Sequence, residues 1–146
     1  MITQDSVIIK KSLPEVYRIA KDVKNQHKYI PGYKPSEIVE QYEDGKIVVR
    51  RFAKLKNKEM TWKSLANFNE NSSIDFKQLE GRLKGMEIHW LFNETPQGTE
   101  VIIIHDFKIN KPVIGWFMEK YFAKPKIDMI TSNVLAGLKK YAENAK

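Results

Sequence analysis

The stretch GMEIHWLFNETPQGTEVIIIHDF, residues 85–107, decides how the chain folds. Met86, Ile88, Trp90 and Phe92 alternate with Glu87, His89 and Asn93. A period of two places the first set on one side of a strand and the second on the other, as in a sheet with one buried face. Thr95-Pro96-Gln97-Gly98 then turns the chain into a second strand, Thr99 to Ile109, whose Val101, Ile103, His105 and Phe107 share a face.

The same pattern extends upstream. Ser73 to Leu79 alternates Ile74 and Phe76 with Asp75 and Lys77, and follows the turn Asn69-Glu70-Asn71. Glu59 to Phe68 puts Met60, Trp62, Ser64, Ala66 and Phe68 on one face. Lys46 to Lys54 and Ser36 to Tyr42 are joined by Glu43-Asp44-Gly45-Lys46, a hairpin turn that needs positive φ. These strands follow one another by hairpins and form an antiparallel meander.

The flanks are helical, apart from a first strand at Asp5 to Lys10. Ser12-Leu13-Pro14-Glu15 reads as a capping box ahead of a helix carrying Val16, Ile19, Ala20 and Val23 on one side. A second short helix is expected at Asn25 to Ile30, ended by Pro31-Gly32. Beyond Asn110-Lys111-Pro112, the residues Ile127, Ile130, Val134, Leu138 and Tyr141 make an apolar stripe on a long helix. Pro125 predicts a kink or break between Tyr121 and Pro125, because its ring meets the carbonyl four residues back. The expected class is therefore α+β. A curved antiparallel sheet of about seven strands wraps a long C-terminal helix, with two short helices after the first strand, as one domain over residues 1–146. Such a sheet closes only partly, and the remaining gap is a cavity.

Composition narrows the function. With 42% hydrophobic and 29% charged residues the 146-residue chain is globular. It has no cysteine, which excludes disulfides, thiolate metal sites and cysteine nucleophiles. No secretory signal and no membrane-spanning run is visible, so a cytoplasmic location is the default expectation. The net charge of +7 comes from lysines scattered along the chain, which argues for solubility and against nucleic acid. His27, His89 and His105 have no metal-ligand spacing, and there is no phosphate-cradling glycine loop or Ser-His-Asp arrangement. Neither a metal nor another cofactor is expected.

Several segments together carry a resemblance to a known family. They are Ser12-Leu13-Pro14-Glu15-Val16-Tyr17 with Asp22, Tyr29-Ile30-Pro31, Trp62-Lys63-Ser64, Ile74-Asp75-Phe76, Gly85 to Phe92, Gly98-Thr99-Glu100-Val101 and His105-Asp106-Phe107. In order and spacing they resemble the polyketide cyclase/dehydrase and coenzyme-Q-binding branch of the START-like (SRPBCC) superfamily, over nearly the whole chain. The resemblance implies the helix-grip fold and an elongated apolar pocket between sheet and C-terminal helix. It also implies a role as aromatase/cyclase, ligand carrier or quinone-binding chaperone. Cyclases of the family place arginine inside the pocket. Here the strand after Trp62 reads Lys63-Ser64-Leu65-Ala66 without one, and adjacent Arg50 and Arg51 must point to opposite faces.

The candidate ligand is thus a lipid, quinone or polyketide-like molecule. Its expected contacts are Tyr29, Tyr33, Trp62, Ser64, Phe76, Met86, Ile88, Trp90 and Ile103, with Trp116, Phe117, Met118 and Tyr121 forming a portal before Pro125. Tyr17 and Tyr42 are further hydroxyl donors toward a ligand carbonyl. His105 is the acid–base candidate, since an imidazole among apolar groups titrates near neutrality, although spacing assigns it no partner. Lys111, Lys120, Lys124 and Lys126 beside the portal aromatics are compatible with transient contact with an anionic membrane. The competing expectation is a polyketide cyclase or dehydrase acting on an enclosed substrate.

Overall fold

A computed structural model describes residues 2–55, 57–81, 83–107 and 124–145. Strand β1 (Ile2–Ile9) leads to helix α1 (Leu13–Lys21) and a 3-10 helix (Val23–Lys28). Six strands follow: β2 (Tyr33–Gln41), β3 (Ile47–Leu55), β4 (Lys58–Asn69), β5 (Ser73–Gln78), β6 (Glu87–Thr95) and β7 (Gly98–Asp106). Helix α2 (Lys124–Glu143) comes last. The strands form one seven-stranded antiparallel sheet in the order β1-β7-β6-β5-β4-β3-β2. Only β1 leaves sequence order, crossing to pair with β7 from Ile2–Asp106 to Ile9–Thr99. This is the antiparallel meander expected from the hairpin succession, in the helix-grip arrangement that the resemblance implies.

Local chemistry accounts for most boundaries. Gly45 takes φ +92° in the β2–β3 turn, as the hairpin reading requires, and Asp44 accepts a hydrogen bond from the Lys46 amide at 3.1 Å. Strand β7 alternates without a fault, with Thr99, Val101, Ile103 and His105 buried and their neighbours half-exposed. Strand β2 is irregular, with register shifts after Lys34 and Ile38, which blunts its free edge. The opposite edge, β1, is closed at its end by α2: Lys139 Nζ donates to the Ile8 carbonyl at 2.6 Å, and Glu143 accepts from the Lys10 amide at 2.8 Å.

Two expectations about the helices change. Ser12 occupies the N-cap of α1, but no side-chain bond caps the helix. Pro14 explains part of this, because it removes one of the two amides that an N-cap hydroxyl normally bonds. On α2 the buried face is Thr131, Val134, Leu135, Leu138 and Ala142, whereas Tyr141 lies at its margin with 36% exposure. Gly137 sits on that margin, where an added Cβ would stand 2.1 Å from the Tyr29 carbonyl oxygen. The helix therefore rests directly on the loop before β2, and Tyr141 packs beside Tyr29 with ring centroids 5.6 Å apart. Pro125 is the second residue of α2. The kink expected before it lies outside the described residues.

The core joins α1, the sheet's inner face and α2. Ile9, Val16, Tyr17, Ala20, Val49, Ala66, Ile74, Trp90, Phe92, Val101, Ile103 and Leu138 belong to one cluster. Burial of the larger apolar side chains among them contributes about 1.5–3 kcal/mol each.

Candidate functional site

The inner sheet face is not uniformly apolar. Trp62, Ser64, Phe76, Ile88, Trp90, Ile103 and His105 all face inward, as their period-two spacing predicts, although Trp62 and Ile88 are only half-buried. Register brings several of them into one row: Ala66 opposes Phe76, Phe76 opposes Ile88, Ile88 opposes His105, and His105 opposes Thr3. Phe76 and Trp90 meet edge to face with centroids 6.1 Å apart. Met86 and Phe107 form a smaller buried cluster with Leu83 and Ile88. Met60, expected on the same face, is exposed at the end of β4.

His105 has a partner that spacing could not reveal. Thr131 of α2 lies with its Oγ1 3.3 Å from His105 Nδ1, and the ring stacks on Phe107 with centroids 6.4 Å apart. Burial pulls the imidazole down to about pKa 4, against a smaller opposing pull from Asp128. The ring is therefore neutral at pH 7. Threonine reads as an ordinary polar residue on a helix, and only packing places it within the buried stripe.

A second polar group occupies the β2–β3 end. Arg51 points inward and is 5% exposed, so of the two adjacent arginines one does enter the interior, from β3 and not from the strand after Trp62. Its guanidinium donates to Gln26 Oε1 of the 3-10 helix and reaches Ser36 Oγ at 3.5 Å. It lies over the Phe76 ring, 5.2 Å from the centroid. Gln26 is itself held by donating to the Ala20 carbonyl at 3.2 Å. Tyr29 and Tyr33 flank the cation, and desolvation raises both phenols above their ordinary pKa despite the opposing effect of Arg51. The Tyr29 hydroxyl is buried near Gln26 without a hydrogen bond of good geometry. Tyr33 packs edge to face on Trp62 with centroids 5.8 Å apart.

Other candidates fall away from this face. The Tyr17 hydroxyl donates to the Ser73 carbonyl at 3.0 Å, so it is structural and not available to a ligand. Tyr42 is exposed and bonds Glu40 at 2.5 Å. His89 lies on the outer face, 2.6 Å from Asp75. Among the described residues no group of histidine and acidic side chains could hold a metal ion, and no helix is long and apolar enough to cross a membrane. Trp116, Phe117, Met118 and Tyr121, with Lys111 and Lys120, lie outside the described residues. Lys124 and Lys126 lie in the first turn of α2.

Two clefts open among the described residues. One, of about 390 Å³, runs between the end of α1 and the β2–β3 hairpin over Val23, Ile38, Ile47 and Phe68. The other, of about 310 Å³, lies between β1 and α2 beside Thr3, Asp5, Asp128 and Thr131.

Comparison with known proteins decides the family. Residues 9–132 match the family described as polyketide cyclase / dehydrase and lipid transport. The chain belongs to that family. Among solved structures, TTHA0849 from Thermus thermophilus is 20% identical with a TM-score of 0.81, covering 97% of both chains. The Zhui aromatase/cyclase from a Streptomyces species is 19% identical with a TM-score of 0.81, covering 98% of this chain and 93% of its own. A START superfamily protein from Mycobacterium smegmatis is 17% identical with a TM-score of 0.71, covering 97% and 94%. At these identities the likeness establishes the START-like fold alone. No curated protein matches the sequence.

Proposed function

We propose that the protein encloses a hydrophobic small molecule of the lipid, quinone or polyketide kind between the inner sheet face and α2. The observation that carries this reading is the set of inward polar groups, Arg51, Ser64, His105 and Thr131, set among Trp62, Phe76, Ile88 and Trp90. Arg51 bonds Gln26 and Ser36, and His105 meets Thr131, but a core that only stabilised the fold does not require polar groups at these positions. Apolar walls with a few convergent polar groups are instead the makeup of a ligand pocket. Phe76, under Arg51, and His105 stand on β5 and β7, two strand spacings or roughly 10 Å apart. An elongated ligand lying across Ile88 meets a polar group at each end.

The alternative is a cyclase or dehydrase. Arg51 favours it by supplying the interior cation that the strand after Trp62 lacks. His105, neutral at pH 7, is able to accept a proton but is a weak base there. That balance favours binding. Native mass spectrometry of the protein purified from its own host is the test: a co-purifying apolar molecule is expected. Repeated recovery of the bare chain, with no uptake of lipid, quinone or polyketide probes, would overturn the binding reading. For the catalytic alternative, His105→Gln with full retention of a measured turnover removes this histidine from the mechanism.

A further inference from the structure

Arg51 is a cation buried on the inner face of the sheet. The side chain is 5% exposed, and the groups around it are all neutral: Gln26 from the 3-10 helix, Tyr29 from the next loop, Tyr33 and Ser36 from β2, and Phe76 from β5. Among the described residues no carboxylate pairs with it. A guanidinium offers five N–H donors in one plane, and among the described residues only Gln26 and Ser36 accept from it. Removing a cation from water without a counter-charge costs several kcal/mol, more than neutral hydrogen bonds return. Gln26 relieves this only in part, since its oxygen accepts one of the five donors and carries no charge, while its amide is tied to the Ala20 carbonyl. A methionine would fill the same volume against Phe76 at lower cost. A buried cation so placed, with no carboxylate beside it among the described residues, suits an anion that arrives with the ligand.

We propose that the preferred ligand is an apolar monocarboxylic acid whose carboxylate pairs with Arg51 and whose tail runs over Phe76 and Ile88 toward His105. The fork of a guanidinium matches a carboxylate through two parallel hydrogen bonds, and the flanking tyrosine hydroxyls add neutral donors. Burial beside Trp62 and Phe76 excludes competing water, which strengthens the pair. This inference rests on the binding reading above and specifies its chemistry.

The experiment is calorimetric titration with dodecanoic acid and with 1-dodecanol, below their aggregation limits and at pH 7.5. They share a chain and differ in charge. The unmodified protein is expected to bind the acid at least tenfold more tightly than the alcohol. Arg51→Met should bring the acid down to the alcohol's affinity. Equal affinities in the unmodified protein overturn the acid preference while leaving apolar binding intact. Binding of neither probe overturns the acid preference, while the broader binding reading stands or falls on the native mass spectrometry above. A preference that survives in Arg51→Met removes Arg51 from it. If Arg51→Met fails to fold, the acid–alcohol comparison in the unmodified protein still decides the preference, and Arg51→Lys should retain part of it.

Discussion

Tyr17 and Tyr29 are both buried, yet their hydroxyls have opposite fates. Tyr17 spends its proton on the Ser73 carbonyl, whereas the Tyr29 hydroxyl has no hydrogen bond of good geometry. Tyr17→Phe should therefore destabilise the fold by about 1 kcal/mol, read from the urea midpoint. Tyr29→Phe should cost nothing in stability and weaken ligand binding instead. Equal losses of stability would show that the Tyr29 hydroxyl is structural. His105 gives a prediction in pH. Its folded pKa of about 4 lies below the unfolded value near 6.5, so in between the unfolded chain holds the extra proton. Stability from keeping this ring neutral is complete above pH 6.5 and is lost as pH falls toward 4, on the order of 3 kcal/mol in all. His105→Gln should flatten that part of the melting-temperature profile. Parallel acid limbs in the two proteins would contradict it.

At the scale of elements, legibility followed from whether burial is one-sided. Strands β6 and β7 were readable because an apolar inner face and a polar outer face alternate residue by residue. Strand β3 was placed by its hairpin, but its inward face was not readable, because Val48 and Val49 are both buried, one on each face, and Arg50-Arg51 follows them. Adjacency sends Arg50 and Arg51 to opposite faces, but with no alternation there nothing in the sequence says that Arg51 is the one that goes inside. Thr131 was hidden for a related reason: a helix tolerates one polar residue in its apolar stripe, and sequence alone does not say what lies opposite. The closeness of α2 to the Tyr29 loop was likewise illegible, since a glycine within a helix usually marks only weak propensity. Gly137→Ala tests that contact. Alanine gains about 1 kcal/mol of helix propensity, but its Cβ would collide with backbone at Tyr29, which cannot swing aside. A net loss of about 1–3 kcal/mol is expected. A stabilised variant would mean that α2 does not rest on this loop.

Taken whole, the molecule is a sheet gripping a helix, with charge and hydroxyls placed where a plain core would be apolar. Folding without ligand leaves the Arg51 cation and the Tyr29 hydroxyl imperfectly satisfied, and a ligand that pairs with them returns that cost only in the folded state. Ligand and fold are therefore linked: at a free concentration one hundred times Kd, binding adds about 2.7 kcal/mol of stability. For a domain of this size that is roughly 5–10 °C in Tm. Protein stripped of bound molecules on a hydrophobic resin should melt lower by an amount of this order, and an organic extract of the host cells should restore it. The gain should shrink in Arg51→Met if the charged end supplies much of the affinity, and in Phe76→Ala if the apolar wall does. A melting temperature indifferent to stripping and to the extract would mean that the inward polar groups are satisfied within the chain. In that case the sheet and helix would enclose only each other.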